Sequence, residues 1–274
     1  MTSRSLQFWD ELFRRPEYAD RCGQVRADLA SAFHAAAEFF GPMLGKTLID
    51  LGCGDGAASL FFAKQGACVI SLDQSAVAVQ NLRQFCDANG ITSIRTYAAD
   101  AFDIQKYGPV DFVFGSLVLH HIEPFADFAS FLQRTLKPRG RAFFLENNSA
   151  SALLRWIRTH LVGKFGIPKY GDSDEFPLTV AEVQTLDRSF SLQQVFPELT
   201  FFRLIPPYLL RRHFTKQFEA LDRIAYRVPP LQKYSYRQYL YLENSRVAAD
   251  QAPVPVAVRE PQPLDHVRTT TKYG

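Results

Sequence analysis

The 274-residue chain contains no apolar run of the length a membrane span requires, about eighteen residues, because charged residues interrupt every candidate stretch. Its N-terminal segment, MTSRSLQFWDELFRR, also lacks the uninterrupted apolar core of a secretory signal, so a cytoplasmic protein without a transmembrane segment is expected. The four cysteines, Cys22, Cys53, Cys68 and Cys86, form no CxxC and have no histidine pair at zinc-ligand spacing. They read as free structural thiols. Of six histidines only His120 and His121 are adjacent, and no metal site is predicted. The net charge of +3 is too small to argue for nucleic acid. Residues 1–150 carry 14 basic and 16 acidic side chains, which leaves 17 and 12 for the rest, so the C-terminal part leans basic. No basic run there is interleaved with aromatics in the manner of a nucleic-acid groove, and no nucleic-acid partner is expected.

What the chain does have is a stretch at Thr47 to Gly56, TLIDLGCGDG, in which a short apolar run ends in an acid and glycines follow at alternating positions. This reads as a buried strand opening through a tight turn into a helix. Gly52, Gly54 and Gly56 let the backbone turn sharply and let a ligand lie against bare peptide, and the following helix is expected to aim free N–H groups at it. The pattern is that of a nucleotide or nucleoside pocket.

Around that turn the chain divides into four parts. Residues 1–45 hold two helical stretches, 6–21 and 24–40, that form either a lid or the cover of a sheet edge. Residues 46–148 alternate strand and helix with short links: LIDL, a helix near 56–65, CVISLD, a helix near 76–89, a strand near 93–98, VDFVFG, a helix near 124–136, and RAFFLEN after a KPRG turn. Apolar strands alternating with helices imply a parallel sheet with doubly wound connections. Residues 149–246 break the alternation with a basic, aromatic helix (LLRWIRTHLVGKF), a Gly/Pro/acidic loop at 166–177, a helix at 179–190, a strand in ELTFFRLIPP, a long helix near 215–227 and a tyrosine-rich strand in YSYRQYLYLE. Aromatics in this part either wall an apolar acceptor pocket or fill the core, and its first helix is a candidate for peripheral contact with a membrane surface. Residues 247–274 lose all periodicity and read as a disordered tail. The fold class is α/β: a Rossmann-like, doubly wound, mostly parallel sheet with an antiparallel C-terminal strand and a helical insertion after the fifth strand.

Two readings compete for the glycine turn. With Ala57 as the third small residue it fits the dinucleotide pattern, and Asp73, about twenty residues after Gly52, lies where an acid binds ribose hydroxyls. Against a pyrophosphate stands Asp50, whose negative charge suits a ligand bearing a cation. Asp100 ends the third strand as an acceptor for an exocyclic adenine amine, or else caps a turn, with Ala101 offering its N–H to the ring. His120 and His121 fall at the carboxyl edge of the sheet, where open α/β folds bind ligands.

The set LIDLGCGDG, SLDQS, YAADAFD, FVFGSLVLHHIE and LKPRGRAFFLE resembles the class I S-adenosylmethionine-dependent methyltransferases, in the small-molecule branch related to quinone-biosynthesis enzymes. The C-terminal third is less diagnostic, and the family's commoner KPGG is KPRG here. By this resemblance Asp50 and the Gly52, Gly54, Gly56 turn hold the methionine end of S-adenosylmethionine, Asp73 bonds the ribose, Gln74 flanks the adenine, Asp100 with Ala101 reads its edge, and Ser116 and Leu117 face the sulfonium. His120 or His121 would be the general base for a hydroxyl acceptor. The implied function is methyl transfer to a small, largely apolar or aromatic acceptor, expected at oxygen. A nicotinamide-dependent oxidoreductase, or a noncatalytic S-adenosylmethionine-binding module, is the alternative.

Overall fold

The computed structural model describes residues 3–19, 21–22, 24, 27–160, 162, 164, 176–206, 210 and 213–245. Most of the loop expected at 166–177 and the whole tail from 247 lie outside them. Helices α1 (Ser3–Arg14), α2 (Pro16–Ala19) and α3 (Ala27–Phe40) precede five strands: β1 (Thr47–Leu51), β2 (Cys68–Asp73), β3 (Ile94–Ala98), β4 (Val110–Ser116) and β5 (Leu136–Asn147). Between them run α4 (Ala57–Ala63), α5 (Ala76–Ala88), a 3-10 turn at Ala101–Tyr107, and α6 (Phe125–Thr135). After β5 come α7 (Ala152–His160), α8 (Val180–Ser189), β6 (Ser191–Val195), α9 (Thr215–Tyr226), α10 (Pro229–Gln232) and β7 (Arg237–Glu243).

The strands form one sheet in the order β3-β2-β1-β4-β5-β7-β6. β1 to β5 pair in parallel, with Leu48 opposite both Val69 and Phe112, whereas β7 runs antiparallel to β5 and β6. Successive side chains of a strand face opposite sides, so Leu48 and Ile49 enter different cores. One core gathers Phe33, Phe40, Phe62, Phe114 and Phe143 beneath α3, α4 and α5. The other gathers Ile49, Val113, Leu132, Phe144 and Leu186 beneath α6 and α8. The chain order reverses direction between β1 and β4, which opens a crevice at their carboxyl ends.

The two N-terminal helices take different places. α3 covers the sheet: Arg141 Nη1 donates to the Phe39 carbonyl at 2.6 Å, and Phe40 stacks on Phe112. α1 lies against α5, where Ser75 Oγ donates to Asp10 Oδ1 at 2.5 Å and Asn81 Nδ2 to the Phe13 carbonyl at 2.9 Å.

Three expectations are corrected. The expected turn Lys137–Gly140 is part of β5, which pairs from Leu136 across a register shift between Val110 and Phe112. There Arg139 takes φ 60 and its N–H donates to the Asn244 carbonyl, so this strand edge hooks onto the end of β7. ELTFFRLIPP is not a strand. The buried carboxylate of Asp222 on α9 accepts the N–H groups of Phe201, Phe202 and Arg203, and this curls Phe202–Leu204 into a 3-10 turn. The strand that pairs with β7 is instead SLQQV at β6, an edge strand with only two apolar residues and hence almost no periodic signal.

Candidate active site

The glycine turn is built by contact from two sides. Gly52, at φ 70, has the space of a missing Cβ occupied by Val118 Cγ2 at 2.8 Å, so the loops after β1 and β4 touch there. Gly56, at φ 75, caps α4, and a Cβ there would lie 2.4 Å from Leu82 Cδ1 on α5. Neither position accepts a side chain without moving a neighbour. The turn's own N–H groups are largely engaged. Those of Gly52 and Cys53 donate to the Leu72 carbonyl, Gly54 to Asp73 Oδ2 at 2.9 Å, Gly56 to the Cys53 carbonyl, and Ala57 to Asp55 Oδ1. The tight turn thus satisfies its own donors, and of the following helix, expected to aim free N–H groups at a ligand, the first N–H, that of Ala57, is engaged.

Asp50 lies beneath the turn, 1% exposed, and accepts from Ser59 Oγ at 2.5 Å. Ser59 Oγ also meets Ser71 Oγ at 2.7 Å. Burial, with Asp55 and Asp73 adding to it against the Ser59 hydrogen bonds, pushes the Asp50 carboxyl up to about 7. Asp73, at the end of β2, accepts from Gly54 N and from Ser75 N at 2.8 Å, and burial raises its pKa. The Gln74 backbone N–H also bonds this carboxylate, and of its about four lone-pair sites one remains for a further donor.

Asp100 is exposed, and Oδ1 accepts from Phe102 N at 2.9 Å, so it caps the 3-10 turn that begins at Ala101. Its other oxygen accepts from Gln74 Nε2, which ties the ends of β2 and β3 together. Asp73, Gln74, Asp100 and Ala101 thus line consecutive strand ends at one edge of the sheet.

On the far side of the crevice, β4 ends at the half-buried Ser116, and Leu117 follows at φ 57. A non-glycine residue in this region is strained by about 1–3 kcal/mol and persists where its surroundings over-determine it. Here the Leu117 N–H donates to the Leu145 carbonyl at 2.8 Å, and Glu146 holds the next residues. Glu146 is wholly buried, and its Oε1 accepts from Val118 N at 2.8 Å and Leu119 N at 2.7 Å. Its Oε2 lies 2.7 Å from His120 Nδ1. A carboxylate can only accept, so this contact places the ring proton on Nδ1 and leaves Nε2 as the basic nitrogen. The His121 ring lies 4.1 Å from that of His120 and meets Trp9 of α1 edge-on at 6.2 Å. Glu146 was not singled out in the sequence, although an acid closing the apolar strand RAFFLE is the same signal that marks Asp50 in LIDL. Trp9 and Phe13 were read only as helix-face residues.

Trp156 is 52% exposed, Phe176 63% and Phe214 62%, so these three do not fill a core. Phe165, Tyr170 and Tyr208 lie outside the described residues. All four cysteines are free thiols. Among the described residues, no group of His, Cys, Asp and Glu has the geometry of a metal site, and no helix is long and apolar enough to cross a membrane.

Residues 49–144, which span the glycine turn, all three acids and the histidine loop, match the family described as a methyltransferase domain. The chain carries a class I S-adenosylmethionine-dependent methyltransferase domain. This match sets aside the dinucleotide reading of the turn. The chain is 28% identical over 125 residues to a ubiquinone biosynthesis O-methyltransferase of Methylococcus capsulatus, covering 45% of this chain and 50% of that protein. It is 27% identical over 183 residues to one of Chelativorans sp., covering 62% and 71%. The chain thus spans about half the length of the first of these curated relatives. In structure it resembles the geranyl diphosphate C-methyltransferase of Streptomyces coelicolor A3(2), with a TM-score of 0.57 at 16% identity over 89% of this chain and 97% of that one. That likeness is one of fold.

The methyltransferase site fits S-adenosylmethionine on its own chemistry. Half-buried Asp73 keeps acceptor capacity for a diol, Asp100 and Gln74 present polar groups at the adjoining strand end, and the acids beneath and beside the turn suit a cationic ligand.

Proposed function

We propose that the chain transfers a methyl group from S-adenosylmethionine to a hydroxyl of a small, largely apolar or aromatic acceptor. The observation that carries this reading is the Glu146 to His120 Nδ1 contact, which orients a buried imidazole in the loop after β4, beside the Val118 that packs on Gly52. The relatives named ubiquinone biosynthesis O-methyltransferases support oxygen as the methylated atom.

When bound, the cofactor supplies an electrophilic methyl carbon on a sulfonium leaving group. The chain's part is to hold and align. Asp73 binds the ribose hydroxyls, Gln74 flanks the adenine, and Asp100 with the Ala101 N–H binds the ring edge. Gly52, Gly54 and Gly56 leave the backbone bare beside the methionine end, above Asp50, and Ser116 and Leu117 border the sulfonium. Alignment of two reactants is the larger part of catalysis for a reaction with so good a leaving group. His120 Nε2 takes the acceptor hydroxyl's proton, and Glu146, bonded to Nδ1, stabilises the imidazolium that results. His121, its ring tilted against that of His120, is the second candidate for that base. A cytoplasmic setting accords with the free thiols.

Calorimetry with S-adenosylhomocysteine and with NAD tests the cofactor assignment, and tight NAD binding with no response to S-adenosylhomocysteine would refute it. A screen of metabolite pools for a protein-dependent mass gain of one methylene then finds the acceptor. With that acceptor, His120→Asn is expected to lower turnover by about two to four orders of magnitude while S-adenosylhomocysteine affinity holds. Normal turnover in both His120→Asn and His121→Asn would remove the base from the mechanism.

A further inference from the structure

A cofactor that ends in an amino acid brings a carboxylate, and a carboxylate needs hydrogen-bond donors. At Gly52, Cys53, Gly54, Gly56 and Ala57 the glycine turn has already directed its N–H groups to Leu72, Asp73, Cys53 and Asp55. The ionisable side chains around it, Asp50, Asp55 and Asp73, are acidic and repel an anion.

One buried donor lies beside the turn. Trp9 Nε1–H, on α1, is shielded from solvent and has no hydrogen-bond partner among the described residues. An indole nitrogen can only donate, and a buried donor in a native protein is as a rule paired with protein, water or ligand. The Trp9 ring stacks with Phe13 at 6.1 Å and meets His121 at 6.2 Å. Phe13 in turn comes within 3.5 Å of the point a Cβ on Gly54 would occupy. The indole therefore lies between Phe13, which borders the glycine turn, and the histidine loop, the two features that bracket the methionine end of the proposed cofactor. It is also held in place: Asp10 and Phe13, on either side of it along α1, are tied to Ser75 and Asn81 of the Ser75–Ala88 segment.

We infer that Trp9 Nε1–H is the donor to the carboxylate of the cofactor's methionine moiety, and that α1 is the wall of this amino-acid subsite. The inference rests on the S-adenosylmethionine reading above.

Trp9→Phe keeps an aromatic ring for packing against Phe13 and His121 and removes the N–H. Two probes separate the roles: S-adenosylhomocysteine, which carries the carboxylate, and 5′-methylthioadenosine, which has the same adenosine and thioether but no amino acid. By calorimetry Trp9→Phe is expected to weaken S-adenosylhomocysteine about ten-fold, the low end for one hydrogen bond to a charged group, and to leave 5′-methylthioadenosine unchanged. Unchanged affinity for S-adenosylhomocysteine, or an equal loss for both probes, overturns the inference. A second measurement does not depend on the stability of Trp9→Phe. Trp156→Phe, at an exposed position, leaves Trp9 as the sole indole of the two in the chain. Its N–H proton resonance is expected to move downfield with S-adenosylhomocysteine and to stay with 5′-methylthioadenosine. The same shift with both overturns the carboxylate assignment. Wild-type protein that binds neither probe refutes the cofactor reading itself, which is a different result from intact binding that ignores Trp9.

Discussion

Replacing Glu146 by Gln changes one atom and tests the proton arrangement of the site. In the native protein Oε1 accepts from Val118 N at 2.8 Å and Leu119 N at 2.7 Å, and Oε2 faces His120 Nδ1 at 2.7 Å. Glutamine keeps an oxygen for the two backbone donors, so the histidine loop is expected to stay in place. Its amide nitrogen then faces His120 Nδ1, and two donors cannot bond. The ring answers by moving its proton to Nε2, which turns Nδ1 into an acceptor and takes the free lone pair from Nε2. All three charge-assisted bonds to the carboxylate become neutral ones, a net loss of about 1–2 kcal/mol because no carboxylate is now buried. Melting should fall by about 2–8 °C in a chain of this size. Long-range proton–nitrogen correlation on histidine-labelled protein is expected to show an Nδ1–H tautomer for His120 in the wild type and an Nε2–H tautomer in Glu146→Gln. With an acceptor in hand, turnover should fall by at least about a hundred-fold at unchanged S-adenosylhomocysteine affinity. An Nε2–H tautomer already present in the wild type, or full turnover in the variant, would refute the assignment of His120 as the base.

Asp73→Ala should weaken S-adenosylhomocysteine by about 1.5–3 kcal/mol per lost bond to the ribose, read by calorimetry, and unchanged affinity would show the ribose to be elsewhere. Gly52→Ala forces a Cβ to within 2.8 Å of Val118 Cγ2 at φ 70 and should cost about 2–4 kcal/mol in denaturant unfolding; a change below about 0.5 kcal/mol would contradict the packing of the two loops. Burial raises the Asp50 carboxyl from 3.8 to about 7, so the folded chain binds the extra proton, and stability contributed at low pH is lost as pH rises through that window. Asp50→Asn removes this loss and should be the more stable protein at pH 8, by up to about 4 kcal/mol, whereas parallel melting curves for the two proteins from pH 4 to 8 would refute the shift.

The parallel half of the sheet was legible because its strands are buried on both faces. LIDL, CVISLD and VDFVFG are runs with no polar alternation, and only a strand covered by helices on both sides uses such a sequence. The edge strand β6 could not be read in the same way. SLQQV packs only Leu192 and Val195, and its pairing is decided by the backbone of β7, which leaves no mark in its own side chains. ELTFFRL failed for the opposite reason: its apolar residues suit a strand, but a carboxylate nineteen to twenty-one residues later, Asp222, takes its N–H groups.

The same distinction separates the parts of the site. Gly52, Gly54, Gly56 and Asp73 were legible because the local chain needs them, either for a positive φ or at a strand end. The Glu146–His120 pair and Trp9 were not, because each acquires its meaning from a residue far away in sequence: Glu146 is 26 residues from His120, and Trp9 reaches His121 only through the packing of α1 on α5. The proposed cofactor half of the crevice is written in short local stretches, each fixed by its own turn or strand end. The proposed reacting half is assembled from three separated segments, and there the side chains proposed as the base and the amino-acid subsite come together only in the fold.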